Sequence, residues 1–294
     1  MKLYLIVNPN AGKKKGAAAA EEAVRIFTDK GIETESITSD FPGHTMELAK
    51  KVDTDLYDGI VAVGGDGTLF EVINGLARNP KTVSIPIGVI PVGTGNSFIK
   101  DLEIMSMEDA VERIAAGDSR RIDTGDFSHG TEKHLFINLL GAGFVSNVAY
   151  RAKKFKALGA LSYIIGVLQE MIFLKSTPIE LIIDGETIKR DSIFVEICNS
   201  RFTGGDMLMS PESKIDDGLL EVVVLNKISR IKLLRLFPAL FKGLHVKDPS
   251  VEVFKGKNIL LKSENTMHLT PDGEILGKTP VNVSINPGSI EMFA

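Results

Sequence analysis

In the first 120 residues, short apolar runs end in turn-forming residues and hand over to helix-like stretches, again and again. Residues 3–7 (Leu-Tyr-Leu-Ile-Val) precede an alanine-rich segment at 16–30, and residues 32–38 precede a segment at 44–52. Residues 59–63 lead into a helix-like stretch at 69–77, and residues 83–90 lead into Pro91-Val92-Gly93-Thr94-Gly95-Asn96. Strands separated by helices pair in parallel, because each crossover helix lies over the sheet and carries the chain back to the same end. The predicted fold is therefore α/β, a doubly wound, Rossmann-like domain over residues 1–121. Such sheets bind ligands beyond the carboxyl ends of their strands. The polar loops at 8–16, 64–68 and 91–97 are expected to face one crevice.

Beyond Arg120 the pattern changes. Strand-like runs appear at 121–127, 135–140, 179–183, 188–197, 219–225, 251–261 and 281–285, several separated by Asp-Gly turns. This predicts a second domain over 122–294, an antiparallel β-sandwich with helical insertions at 144–174 and 229–246. The extreme C-terminus is expected to pack back on the first domain.

Composition removes several function classes. At 44% hydrophobic and 24% charged residues the chain is an ordinary globular one, and a net charge of −4 gives no global basis for binding nucleic acid. The single cysteine, Cys198, lies in the run Ile-Phe-Val-Glu-Ile-Cys and reads as core in a protein of the reducing cytosol. The apolar start is stopped by Asn8-Pro9, so a first strand is expected rather than a leader. The apolar stretch 157–174 contains Gln169 and Glu170 and falls short of the ~20 residues a bilayer span needs. The five histidines lack metal-ligand spacing and receive no role.

Chemistry concentrates in the loops. Gly64-Gly65-Asp66-Gly67-Thr68 sits where an apolar run becomes a helix, so glycine amides and the helix start can meet phosphate. Asp66 within that loop is expected to hold a metal or accept a proton, since a bare carboxylate repels phosphate. Asn8-Pro9-Asn10-Ala11-Gly12 closes the first strand, and Lys13, Lys14 and Lys15 follow as either phosphate contacts or a solvated cluster. The chain has no P-loop motif. Asp216-Asp217-Gly218 and Pro271-Asp272-Gly273-Glu274 are turn sequences whose carboxylates are candidates for metal or proton chemistry.

These landmarks, in this order, resemble the diacylglycerol/sphingosine lipid kinase family, in particular its soluble bacterial branch. The resemblance spans nearly the whole chain. It implies ATP held in a cleft between an α/β domain and a β-sandwich domain. The nucleotide would meet Asn8, Pro9, Asn10, Ala11, Gly12, then Gly65, Asp66, Gly67, Thr68, Leu69, Phe70 and Glu71, with Ser39 and Thr94 beside them. It also implies Mg2+ held by Asp217 and the carbonyls of Lys214 and Leu219, and a second Mg2+ on the ATP phosphates. The catalytic base is expected at Glu274 with Asp272 in support, or at Asp66. Asp123 matches a recurring family position. Where these kinases usually have aspartate after Gly-Thr-x-Asn, this chain has Ser97, removing one expected metal or water ligand. The expected function is transfer of phosphate from ATP to a lipid hydroxyl. An NAD kinase-like enzyme and a catalytically weak nucleotide- or lipid-binding regulator remain as alternatives.

A lipid substrate requires a route to a membrane. Residues 227–247 carry six Lys/Arg and no acid, with Leu233, Leu234, Phe237, Leu240, Phe241 and Leu244 at helical spacing around Pro238. This predicts either a basic amphipathic helix on an anionic bilayer or a helix packed on the β domain. The sequence leaves oligomeric state open, with a homodimer among the options.

Overall fold

A computed structural model describes residues 1–80, 85–93, 95–153, 166–167 and 169–294. The chain divides into two compact units, Met1–Asp123 with Gly288–Ala294, and Thr124–Pro287.

The first unit opens with strand β1 (Lys2–Val7), a kinked helical turn α1 (Ala11–Lys14) and helix α2 (Gly16–Asp29). It continues with β2 (Glu33–Thr38), α3 (His44–Lys51), β3 (Gly59–Gly64), α4 (Asp66–Leu76), β4 (Ile87–Pro91) and α5 (Met107–Ala116). All pairings among these strands are parallel, in the order β2-β1-β3-β4. β3 is buried along its whole length, which is why Ile-Val-Ala-Val shows no polar alternation. Phe27 and Ala23 of α2 and Val111 and Ile114 of α5 pack in one core with Leu3, Leu5, Val61 and Ile90. α3 and α4 pack on each other so closely that a Cβ on Gly75 would sit 2.4 Å from the Met46 carbonyl oxygen. Right-handed crossovers place α2 on one face and α3 and α4 on the other, so the sheet is doubly wound as expected.

The second unit is built from antiparallel pairs. Its strands are β5 (Ser119–His129), β6 (Glu132–Phe136), β7 (Leu139–Gly143), β8 (Thr177–Ile183) and β9 (Glu186–Cys198). They are followed by β10 (Phe202–Thr203), β11 (Met207–Leu208), β12 (Leu220–Asn226), β13 (Val251–Gly256), β14 (Asn258–Ser263), β15 (Leu269–Pro271) and β16 (Val281–Phe293). β5 and β16 each run from one unit into the other. Helices α6 (Phe144–Lys153) and α7 (Arg230–Leu240) occupy the two insertions. The order β13-β12-β9-β8-β14-β16 encloses a core of Leu181, Val195, Ile197, Val222, Val224 and Leu261. The opposite face of β9 and β12, with Phe194, Cys198, Val223 and Leu225, packs in a second apolar layer with Leu233 of α7.

Two runs read as single strands are divided. Residues 251–261 form β13 and β14, which pair with different neighbours, β12 and β8. The chain breaks at Gly256, where a Cβ would lie 2.3 Å from Ile183, and the Asp184 carboxylate accepts the Lys257 and Asn258 amides at 2.9 Å each. Residues 135–140 likewise split between β6 and β7. β16 is longer than its predicted run. Its last residues join the first unit, where Met292 pairs with Ile87 of β4.

Candidate active site

The parallel order reverses between β1 and β3: the chain leaves β1 toward β2 and leaves β3 toward β4. Helices depart to opposite faces at such a switch point, opening a crevice beyond the strand ends. Asn8 lies at the end of β1, Ser39 at the end of β2, Gly65 at the end of β3 and Val92 at the end of β4. Their backbone amides extend the ladder, with Asn8 N donating to Val63 O at 3.0 Å, Ser39 N to Val7 O at 2.8 Å and Val92 N to Gly64 O at 2.9 Å.

The loops above these ends are tied to one another. Asn8 Nδ2 donates to Thr68 Oγ1 at 3.1 Å, and Asn8 Oδ1 accepts the Asn10 amide at 3.1 Å. One side chain thus shapes the first loop and anchors it to the first turn of α4. Gly12 has φ +56°, and a Cβ there would lie 2.9 Å from Val92 Cγ1 and 3.2 Å from Gly93 N. The first and third loops therefore approach at a contact only glycine allows. Gly65 is the N-cap of α4, whose leading amides and dipole favour an anion.

Asp66 has a role that the sequence reading lacked. Its Oδ1 and Oδ2 accept the Ser97 amide at 3.0 and 2.8 Å, and Oδ1 accepts the Phe98 amide at 3.3 Å. The Ser97 hydroxyl also donates to this carboxylate. Burial raises the Asp66 pKa above the usual carboxylate range, and the Ser97 and Phe98 amides oppose that rise. Asp66 thus ties the end of β3 to the loop after β4. Ser97, read from sequence only as a lost ligand, is 2% exposed and is Asp66's direct partner. An aspartate there would set a second carboxylate against the first.

The remaining expected nucleotide contacts divide. Pro9, Asn10 and Ala11 lie on the first loop and Gly67 and Thr68 in the first turn of α4. Leu69 and Phe70 point into the core, at 1% and 4% exposure, so their side chains do not line the crevice. Their places in Gly-Thr-Leu-Phe-Glu follow helix periodicity, which turns apolar side chains inward just after the loop. Glu71 Oε1 accepts the Gly43 amide at 3.2 Å, bracing the start of α3. Ser39 is buried. Thr94 lies outside the described residues. Asp123 accepts the Gly288 amide at 2.7 Å, which fixes β16 where it enters the first unit.

In the second unit, Pro271-Asp272-Gly273-Glu274 forms a tight turn after β15, with Asp272 at φ +45° and Gly273 at φ +84°. Asp272 Oδ1 accepts the Asn138 and Leu139 amides at 2.8 and 3.1 Å, and Oδ2 accepts the Ile137 amide at 2.9 Å. Those bonds hold a non-glycine residue in the left-handed region. They fix the turn that carries half-buried Glu274. Asp217 forms a turn of its own, accepting the Leu219 amide at 3.1 Å around Gly218 at φ +71°. No group of three or more His, Cys, Asp or Glu residues able to hold a metal occurs among the described residues. The set expected from the sequence needs only one carboxylate. With exposed Asp217 and the Lys214 and Leu219 carbonyls it is all oxygen, which suits a largely hydrated Mg2+.

Glu196, on β9, was not singled out by the sequence. It is 3% exposed, and burial pushes its pKa up to about 8. Its only sequence signal is a glutamate inside an apolar run.

Residues 2–127 match the family model of the diacylglycerol kinase catalytic domain, and residues 138–294 match that of the YegS C-terminal NAD kinase beta sandwich-like domain. A diacylglycerol kinase of Staphylococcus saprophyticus is 30% identical over 293 residues, covering 98% of this chain and 94% of its relative. A Bacillus anthracis crystal structure provisionally named a diacylglycerol kinase superposes with a TM-score of 0.80 at 25% identity, covering 99% of this chain and 96% of that one. An NAD kinase from Archaeoglobus fulgidus, solved in complex with ATP, shares the fold with a TM-score of 0.55 at 15% identity, covering 100% and 94%. Fold and loops together define a kinase-type enzyme of the diacylglycerol kinase and NAD kinase architecture. The chain belongs to the diacylglycerol kinase family.

Proposed function

We propose that this enzyme transfers the γ-phosphate of ATP to the hydroxyl of a lipid alcohol, with diacylglycerol the leading acceptor. The observation that carries the proposal is the convergence of three loops at the β1/β3 switch point, joined through Asn8–Thr68, Gly12–Val92 and Asp66–Ser97. Backbone amides there are fixed before substrate arrives, which is how phosphoryl-transfer charge is stabilised without reorganisation. Asn8 to Gly12 and Gly65 to Thr68 are assigned to the nucleotide phosphates.

Asp66 and Asp272 are each engaged with backbone amides, which makes them positioning residues. Glu274, held by the Asp272 turn, is assigned the base. It accepts the proton as the lipid oxygen bonds to the γ-phosphorus and ADP departs with the electrons of the broken P–O bond. Asp217 with the Lys214 and Leu219 carbonyls would hold Mg2+, which when bound offsets local negative charge.

The test is transfer of radiolabelled γ-phosphate from ATP to micellar diacylglycerol, with NAD offered in parallel. Labelled phosphatidate is the expected product. Label on NAD and none across a panel of hydroxyl lipids overturns the acceptor assignment, and ATP binding with no transfer to either identifies a regulator.

A further inference from the structure

Helix α7 has two apolar faces, and its own core accounts for one. Leu233 is buried, and Leu236, Phe237 and Leu240 pack beside it against the sheet layer of Phe194, Cys198, Val223 and Leu225. Ile231 and Leu234, with Phe241 just past the helix end, fall on a second stripe roughly 100° around the axis. Of that stripe, Phe241 meets Phe237 edge to face at 5.6 Å, and among the described residues the rest stays open. Ile231, Leu234 and Phe241 are 63%, 50% and 47% exposed, and Leu244 on the following turn is 46% exposed. A helix docked only on its own domain needs one stripe, and the described residues leave the second one exposed.

The stripe continues onto a second segment. Arg230 donates from Nε to the Met171 carbonyl at 2.9 Å and from Nη2 to the Ile172 carbonyl at 2.8 Å. This bridge sets the start of α7 beside Ile172 and Phe173, which are 64% and 59% exposed. The loop after α7 is held in place. Gly243, at φ +65°, is packed against Pro211 and Leu208, and buried His245 shares a 2.9 Å hydrogen bond with the Met209 carbonyl. Phe241 and Leu244 are therefore presented by an anchored turn.

Charge identifies the occupant. Residues 227–247 carry six Lys/Arg and no Asp/Glu, in a chain whose net charge is −4. Lys232 is neutralised by Asp248 at 2.7 Å and Lys227 by Asp191 at 3.4 Å, and Arg230 is committed to its carbonyls. Arg235, Lys242 and Lys247 are exposed and make no ion pair among the described residues. Glu170, on the other segment, is buried and paired with Arg151. A second copy of the chain joined through this face would set the three cations against themselves. A bilayer of anionic lipid supplies apolar depth and negative charge together.

We propose that Ile172, Phe173, Ile231, Leu234, Phe241 and Leu244 insert into the interface of an anionic membrane, with Arg235, Lys242 and Lys247 engaging its headgroups. This deepens the lipid kinase reading and rests on it for the surface's purpose. The docking itself needs no catalysis.

The test is cosedimentation of the full chain with vesicles, without nucleotide. One set is phosphatidylcholine mixed equally with phosphatidylserine, the other phosphatidylcholine alone. Wild-type protein should bind the anionic vesicles, and salt should weaken that binding, since headgroup attraction is screened. Leu234→Glu and Phe241→Glu should each lower the partition coefficient on the order of ten-fold, and Arg235→Glu with Lys242→Glu at least as much. Because these side chains are exposed, melting temperature should hold, and so should phosphorylation of a detergent-dispersed acceptor. Loss of vesicle binding with that activity intact supports the surface. Kinase inactivity in a protein that still binds vesicles leaves the surface standing and removes the acceptor reading. Absence of wild-type binding overturns the proposal, as do variants that bind like wild type. So does concentration-dependent self-association abolished by the same variants.

Discussion

Replacing Glu196 by glutamine should change how the stability of the Thr124–Pro287 unit depends on pH. Glu196 stands opposite Gly141 on β7, which in turn pairs with Thr270 on β15. A Cβ on Gly141 would lie 2.8 Å from Glu196 Oε2 and 2.9 Å from Thr270 Oγ1 and Val145 Cγ2, and Oε2 has no hydrogen-bond partner among the described residues. The titratable neighbours are Cys198, two residues along the same face, and Glu221, which pairs with Cys198 from β12. Burial with no cation at hand favours the neutral acid, and the pKa rises from 4.5 to about 8. The folded state therefore keeps a proton that the unfolded chain releases.

The sign follows directly. The neutral acid costs nothing below the unfolded pKa, and stability falls as pH climbs toward the folded value. Each pH unit in that window is worth ~1.4 kcal/mol. At pH 7, some two and a half units above the unfolded value, the cost reaches about 3 kcal/mol, and it levels off above pH 8 at about 5 kcal/mol. Glutamine does not titrate. Urea unfolding of wild type and Glu196→Gln at half-unit steps from pH 5 to pH 9 should give a difference that grows at nearly this slope and then flattens. The slope is the readout, because a buried amide adds a constant offset. Parallel curves across the window would refute the neutral, desolvated glutamate.

The loop assignments are equally exposed to test. Asp66→Asn places an amide donor where the Ser97 and Phe98 amides must donate, so kcat/KM for phosphoryl transfer should drop at least ~100-fold while far-ultraviolet circular dichroism stays native. Full activity in that variant would remove Asp66 from the site. Gly12→Ala puts a Cβ 2.9 Å from Val92 Cγ1 at a φ of +56°, at a cost of about 1–3 kcal/mol borne by the loop. ATP affinity should fall about ten-fold or more with little change in melting temperature, and unaltered ATP affinity would separate this loop from the nucleotide.

The α/β half was legible because its signals are local. Apolar runs such as Ile60–Val63 and the turn residues after each strand settle strand, helix and loop without long-range information. The second half was legible as a class and less so as a register. The run at 251–261 looks continuous, and only Asp184, more than seventy residues away in sequence, caps the corner that divides it. For the candidate site, the family motifs in their order offered Asn8, Gly12, Asp66, Thr68, Asp272 and Glu274. The same motif order also offered Leu69 and Phe70, whose side chains turn inward on α4. The motif showed Ser97 as a replaced aspartate, and only the fold showed its bond to Asp66.

Residue order alone therefore determined the parallel doubly wound half, the β-sandwich half and the polar loops proposed to meet phosphate. Those properties follow from periodicity, turn chemistry and short motifs, all contained within stretches of chain. Tertiary structure decided which groups meet. It bound Asp66 to Ser97 and Phe98 and set the Asp272 carboxylate under three amides of a distant loop. It left Glu196 desolvated and turned one stripe of α7 outward while burying the other. A carboxylate's role depends on the donors folding brings to it, and a helix face's role on what already covers it. Both are facts about neighbours in space.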